Sequence, residues 1–237
     1  MPTPASSATP PDPSPNPFGF PPVTRLGEGP AVIDDAAVRF FPHLPGPDDA
    51  VVLLLHGLGS NEDDLLSLAP QLPRDLVYAS LRGVYACGQG YGWLQPPPLD
   101  PSAPELLEES ARAVETWVAA HVPGPLVGAV GFSQGGILAL QLLRDDPAAL
   151  DWAVNLSGAP YPTTMLGDEA LAARRPPVLW GHGSRDPLYD DAQEAGTRQW
   201  LAHHTDLTEA RSPELGHGID AVVLEAVVRF LGERAAA

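Results

Sequence analysis

Gly131-Phe132-Ser133-Gln134-Gly135 is the segment of this sequence best equipped for covalent chemistry. It stands where an apolar run, Leu126 to Phe132, gives way to a helical pattern, Ile137 to Leu143. A serine on so sharp a strand-to-helix turn adopts a strained backbone, and side chains two residues before and two after it would collide. Gly131 and Gly135 relieve that collision. The helix opening there aims unpaired N–H groups at the serine, which favours negative charge on a substrate oxygen. Serine is a weak nucleophile at neutral pH, so it needs a general base and a group to orient that base. Gly181-His182-Gly183-Ser184-Arg185-Asp186-Pro187 follows an expected strand, Val178 to Trp180, and puts Asp186 where parallel sheets build their sites. Gly216-His217-Gly218 follows the last expected strand, Leu207 to Ala210. We read Ser133 as nucleophile, His217 as base and Asp186 as the acid that orients it, in the chain order serine, acid, histidine.

Other residues compete for these roles. Asp190 and Asp191 lie just past Asp186, but as first-turn acids they suit the start of a helix. His182 follows a strand directly and is expected to shape its loop, whereas His203 and His204 fall near a helix end. Ser157 lacks a glycine two positions before it and so lacks the elbow. An oxyanion needs at least two donors. The backbone N–H of Gln134 is one; the second is assigned to Leu58 in His56-Gly57-Leu58-Gly59, whose glycines let the main chain turn inward. His56 is expected to pin that loop by hydrogen bonding.

The elements that must position these groups alternate short apolar runs with helical patterns, the mark of βαβ units and a mostly parallel sheet. Val51 to Leu55 reads as a strand buried on both faces. A helix is expected over Glu62 to Leu72, capped by Asn61, then a strand from Leu76 to Leu81. Leu107, Ala111, Val114 and Val118 share one face of a helix over Pro104 to His121. Ile137 to Leu143 is apolar nearly all round, as suits a helix at the centre of a layered domain. Trp152 to Leu156 reads as a strand and Ala221 to Leu231 as the last helix. The domain expectation is a Pro-rich tail over residues 1–22, disordered or loosely docked, and a single catalytic domain over 23–237.

Composition narrows the chemistry. With 13 basic against 30 acidic residues the formal charge is −17, which repels phosphate backbones and anionic lipids, so no nucleic-acid partner is expected. All the basic residues are arginine; Schiff-base chemistry and a phosphate-loop lysine are therefore excluded. The single cysteine, Cys87, rules out an intrachain disulfide and a Cys-rich metal site, and reads as a small buried side chain. We expect no metal, no cofactor and no membrane span, and a cytoplasmic location.

Taken together, Leu55-His56-Gly57-Leu58-Gly59, Leu81-Arg82-Gly83, Tyr91-Gly92-Trp93, Gly131-Phe132-Ser133-Gln134-Gly135-Gly136, His182-Gly183-Ser184-Arg185-Asp186-Pro187 and Gly216-His217-Gly218 resemble the motifs of the phospholipase/carboxylesterase family of α/β-hydrolases, which includes the acyl-protein thioesterases. The resemblance implies an α/β-hydrolase fold: a mostly parallel central sheet with helices on both faces. It also implies hydrolysis of carboxylic esters or thioesters without a cofactor. Only the stretch Ser157 to Pro177 is available for an insertion, so no large lid domain is expected. Trp93, Leu58, Leu94 and Leu188 are expected to line a shallow acyl groove. Trp93 is followed here by Leu94 and Gln95, where many members of the family carry an aromatic residue and an aspartate.

The activity expected is that of a serine carboxylesterase acting on small-molecule esters with short to medium acyl chains. Acyl-thioesterase or lysophospholipase activity on the same triad is the alternative within the enzyme class. A non-catalytic binding module on the hydrolase fold is the alternative outside it.

Overall fold

The computed structural model describes residues 18–235. In chain order its elements are β1 (Val23–Arg25), β2 (Arg39–Phe41), β3 (Val51–Leu55), α1 (Asp63–Leu66), β4 (Val77–Leu81), β5 (Tyr85–Cys87), β6 (Gly90–Gly92), α2 (Glu105–His121), β7 (Leu126–Phe132), α3 (Gln134–Asp145), β8 (Trp152–Leu156), α4 (Asp168–Arg174), β9 (Pro177–Gly183), α5 (Asp191–His204), β10 (Asp206–Ser212) and α6 (Ala221–Ala235). Seven strands form the main sheet in the order β10-β9-β8-β7-β3-β4-β2. Neighbours are parallel except β2, which runs antiparallel to β4.

Successive side chains on a strand point to opposite faces, and the core divides accordingly. Leu53, Leu55 and Ala129 face the layer built on α2, α3, α4 and α5. Val52, Leu54 and Val130 face α1 and α6, where Leu65, Val223, Val227 and Phe230 meet them. Helices thus cover both faces of a mostly parallel sheet, the architecture expected, and among the described residues only the short helix α4 lies between Ser157 and Pro177. No described helix is long and apolar enough to cross a membrane.

Several elements depart from expectation. The helix expected over Glu62 to Leu72 is a single turn, α1, followed by a 3₁₀ turn at Ala69–Gln71. Pro70 has no N–H to continue an α-helix, and the Ser67 hydroxyl donates to the Asp64 carbonyl at 2.6 Å, which competes with the next turn. The cap position is taken by Glu62 and not by Asn61, whose Oδ1 accepts from the Asp63 N–H at 2.9 Å in the turn before the helix. A second, antiparallel sheet, β1-β5-β6, was not anticipated, because three-residue strands carry too little periodicity to read. Its first strand begins just past the expected tail: Val23 pairs with Cys87, and the Cys87 thiol donates to the Pro21 carbonyl. The remainder of the tail expectation, residues 1–17, lies outside the described residues.

Helix α3 is buried along nearly its whole length, as the sequence implied, yet it carries Arg144, 1% exposed. Its guanidinium makes a two-pronged pair with Asp168, through Nε at 2.6 Å and Nη2 at 2.8 Å, and donates to the Tyr161 and Thr163 carbonyls. One side chain thereby fastens α4 and the whole connection after β8 onto the central helix. Replacing Arg144 with Met would strand the Asp168 carboxylate in an apolar setting, and breaking such a pair from one side costs about 3–5 kcal/mol. Urea unfolding of Arg144→Met should register a loss of that order, whereas Arg174→Met at the more exposed end of α4 should cost far less.

Candidate active site

Ser133 sits at φ 53° and ψ −114°, between the last residue of β7 and the first of α3. Backbone contact makes that conformation possible only with glycine on either side. A Cβ on Gly131 would stand 2.0 Å from the Gly135 carbonyl oxygen, and a Cβ on Gly135 would stand 1.9 Å from that of Leu55. The Ser133 N–H donates to the Leu156 carbonyl at 2.7 Å, which ties the turn to β8.

The loops after β9 and β10 bring the two partners to this serine. His217 Nε2 is 2.9 Å from Ser133 Oγ, and His217 Nδ1 is 2.7 Å from Asp186 Oδ2. With the carboxylate accepting from Nδ1–H, Nε2 is left free to accept the serine proton. The Leu188 N–H donates to the second carboxylate oxygen, Oδ1, at 3.0 Å. The Asp186 side chain is 5% exposed and that of His217 20%, so the acid is screened from water while the imidazole borders it. The ring of Phe132, 5.1 Å away between centroids, packs on His217.

Opposite the histidine lies the loop after β3. Gly57 packs so closely on the elbow that a Cβ there would fall 2.9 Å from the Phe132 ring and 3.5 Å from Ser133 Cβ. The loop is fixed from several sides. His56 Nδ1 donates to the Gly57 carbonyl at 2.7 Å while Nε2 accepts from the Gly83 N–H at 2.9 Å, which defines its tautomer. Burial lowers the pKa of His56, so it is held neutral as a structural pin, the role expected of it. Beyond it, the Gly59 N–H donates to the Tyr91 carbonyl and the Tyr91 N–H to that of Ser60. Among the described residues, neither the Leu58 N–H nor the Gln134 N–H has an acceptor.

Two amide side chains that the sequence did not single out complete the frame. Gln134 Oε1 accepts from the Trp93 N–H at 2.9 Å, and its Nε2 donates to the carbonyls of Leu94 and Gln95. Asn155 closes a reciprocal pair with Gly158, both bonds at 3.0 Å. A glutamine directly after the elbow serine was the available signal for the first; nothing in the local pattern marked the second.

The groove residues divide. Leu58 and Leu188 are half-buried beside the site. Trp93 and Leu94 are fully buried, and this corrects the expectation that they line the groove. The Trp93 indole N–H is turned to the His56 carbonyl at 2.9 Å and its carbonyl accepts from Ser110, so the ring is core under the loop after β3. Asp190 caps α5 in a reciprocal box with Gln193. His182 stacks on Trp180 at 3.8 Å and pairs with Glu209, away from Ser133. Ser157 is buried one residue past β8, and Cys87 is buried, which pushes its thiol pKa up.

One group of described residues, His182, Glu194 and Glu209, has ligand atoms within 4.8 Å of one another, as a metal ion would require. Arg198 donates to both carboxylates and Arg211 to Glu194, so guanidinium groups already supply the positive charge. We read the cluster as an ion-pair network.

A sequence model of the family described as phospholipase/carboxylesterase matches residues 103–234, more than half of the 237. The curated protein NocK of Nocardia uniformis subsp. tsuyamanensis is 31% identical over 143 residues, 58% of this chain and 40% of its own length. The chain thus spans less than half of that relative. The crystal structure of esterase PE8 superposes with a TM-score of 0.68 at 26% identity, covering 85% of this chain and 99% of the other. The carboxylesterase of Bacillus cereus gives 0.65 at 22% identity, over 84% and 93%, a likeness of fold alone.

Two outcomes follow from the site's construction. Gly135→Ala pushes a methyl into the end of β3; the shift it forces should cost at least about 1–3 kcal/mol, read by thermal melting and denaturant titration. Glu209, held by Arg198 and then by His182, has its pKa lowered from 4.5 to about 2. A depressed carboxylate stabilises the fold above its ordinary range and loses that contribution as pH falls. The stability difference between wild type and Glu209→Gln should therefore shrink as pH drops from 4.5 toward 2, followed by denaturant titrations across that window.

Proposed function

The chain belongs to the phospholipase/carboxylesterase family, and on that premise we propose that it is a serine carboxylesterase with Ser133 as nucleophile, His217 as general base and Asp186 as the orienting acid. The observation that carries this reading is the unbroken hydrogen-bond chain from Ser133 Oγ through His217 to Asp186. Each member comes from a different loop at the carboxyl ends of parallel strands, which argues for a purpose beyond packing.

In the proposed reaction the Ser133 oxygen attacks the acyl carbon as His217 Nε2 takes its proton. The tetrahedral oxyanion accepts from the unpartnered N–H groups of Leu58 and Gln134. As the acyl–oxygen bond breaks, the imidazolium returns the proton to the leaving alcohol, and Asp186 stabilises the charge carried in between. Water then enters, His217 removes its proton, and the acid departs with Ser133 restored.

The substrate class we favour is a small ester of short to medium acyl length. The half-exposed rim at Leu58 and Leu188, the burial of Trp93 and Leu94, and the single short helix between β8 and β9 support a shallow groove without a deep tunnel.

Turnover of p-nitrophenyl esters of graded length, beside matched acyl-thioesters, tests the assignment. Ester hydrolysis should be fastest on the shorter chains, and Ser133→Ala should lose at least about 10³-fold in kcat with its melting temperature intact. A fluorophosphonate probe should label Ser133 in the wild-type protein only. Unlabelled, inactive wild-type protein would instead favour a binding module, and faster thioester cleavage would move the substrate class.

A further inference from the structure

Behind the Asp186 loop lies a cavity of about 30 Å³, lined by Ser157, Trp180, His182, Asp186, Tyr189 and Glu194 among others. A water needs roughly 10–15 Å³ by this measure, so one or two waters fit and an acyl chain does not. Two deeply buried polar atoms belong to residues in its wall: Ser157 Oγ and Trp180 Nε1, on side chains 1% and 3% exposed, neither with a hydrogen-bond partner among the described residues. Such orphans are uncommon, and two around one small cavity point to a shared guest.

The chemistry of the wall selects that guest. An indole N–H can only donate, a carboxylate can only accept, and a hydroxyl does either. A cation would meet the Trp180 N–H unfavourably, and an anion would meet Asp186 and Glu194. Water accepts from the indole and donates to a carboxylate. Asp186 has capacity to receive it, because each of its oxygens is given one protein donor, Leu188 N–H at Oδ1 and His217 at Oδ2, and each can accept another.

Ser157 carries an independent sign of being held for a reason. Its backbone is at φ 51°, a conformation that side chains other than glycine seldom adopt, and its N–H is fixed to the Gly181 carbonyl at 2.7 Å. The catalytic sequence proposed above makes no use of it.

We propose that Ser157 and Trp180 hold a buried water that hydrogen-bonds the Asp186 carboxylate, and that both are positioning residues for the acid of the triad. The inference rests on the serine-esterase reading for its kinetic consequence; the water itself is tested without it.

A high-resolution crystal structure of the wild-type protein should contain an ordered water within hydrogen-bond distance of Ser157 Oγ, Trp180 Nε1 and an Asp186 oxygen. Ser157→Ala and Trp180→Phe should each lower kcat about tenfold, the scale seen when a group orienting a catalytic ligand is removed, with KM unchanged. The double variant should be no slower than either single, because both act through one molecule. Ser157→Gly relieves the backbone strain but also lacks the hydroxyl, so it should match Ser157→Ala in kcat while melting higher. A dry cavity in the wild-type density, full turnover in either single variant, additive losses, or wild-type turnover in Ser157→Gly would each overturn the proposal. Turnover retained by Ser133→Ala would instead remove the esterase reading and leave the density result to decide the water.

Discussion

The molecule's geometry depends on a place where main chain touches main chain. At the junction of β7 and α3 the Gly131 backbone meets that of Gly135, and Gly135 in turn meets the end of β3, with room for no Cβ at either position. That contact lets the central helix start flush against two central strands. It forces Ser133 into its positive-φ conformation and presents its oxygen at the rim of the sheet. Everything brought to that oxygen is measured from the same point, so an error of one methyl there would propagate to every partner.

Around this junction the fold braces its loops with neutral hydrogen-bonding groups. Gln134 and neutral His56 join segments far apart in sequence, while Asn155 closes the turn after β8 onto Gly158. Ionic contacts brace other segments: Glu62 with Arg82 beneath the loop after β3, Arg144 with Asp168 under α4, and Arg198 with Glu194 and Glu209 beside β9.

How much of this was legible in the residues follows from what each kind of signal can carry. Glycines flanking Ser133 encode a steric rule, so the elbow and its strand and helix were readable within a few residues. Asp186 and His217 were readable because loops at the carboxyl ends of strands are where parallel sheets collect polar groups. Side-chain direction was not. Trp93 looks like a groove wall in the text because a tryptophan beside a glycine offers no hint of which way it turns; in space the His56 carbonyl and Gln134 decide that it turns inward. The small sheet β1-β5-β6 is likewise hidden, since its strands are three residues long and β1 pairs with β5 some sixty residues away. Helix α1 was overread because Leu65, Leu68 and Leu72 keep a helical spacing that one proline suffices to interrupt.

Strand β10 ends the main sheet, and among the described residues no further strand lies beside one of its sides. Along it stand Asp206, Glu209 and Arg211, with Arg198 reaching across from α5 to clasp Glu209. A second molecule approaching to extend the ladder would have to strip solvent from these charges and unseat that clasp before its amides could pair. The border of the sheet is thereby poor at recruiting foreign chains, which guards a protein built on long parallel strands against growing into aggregates.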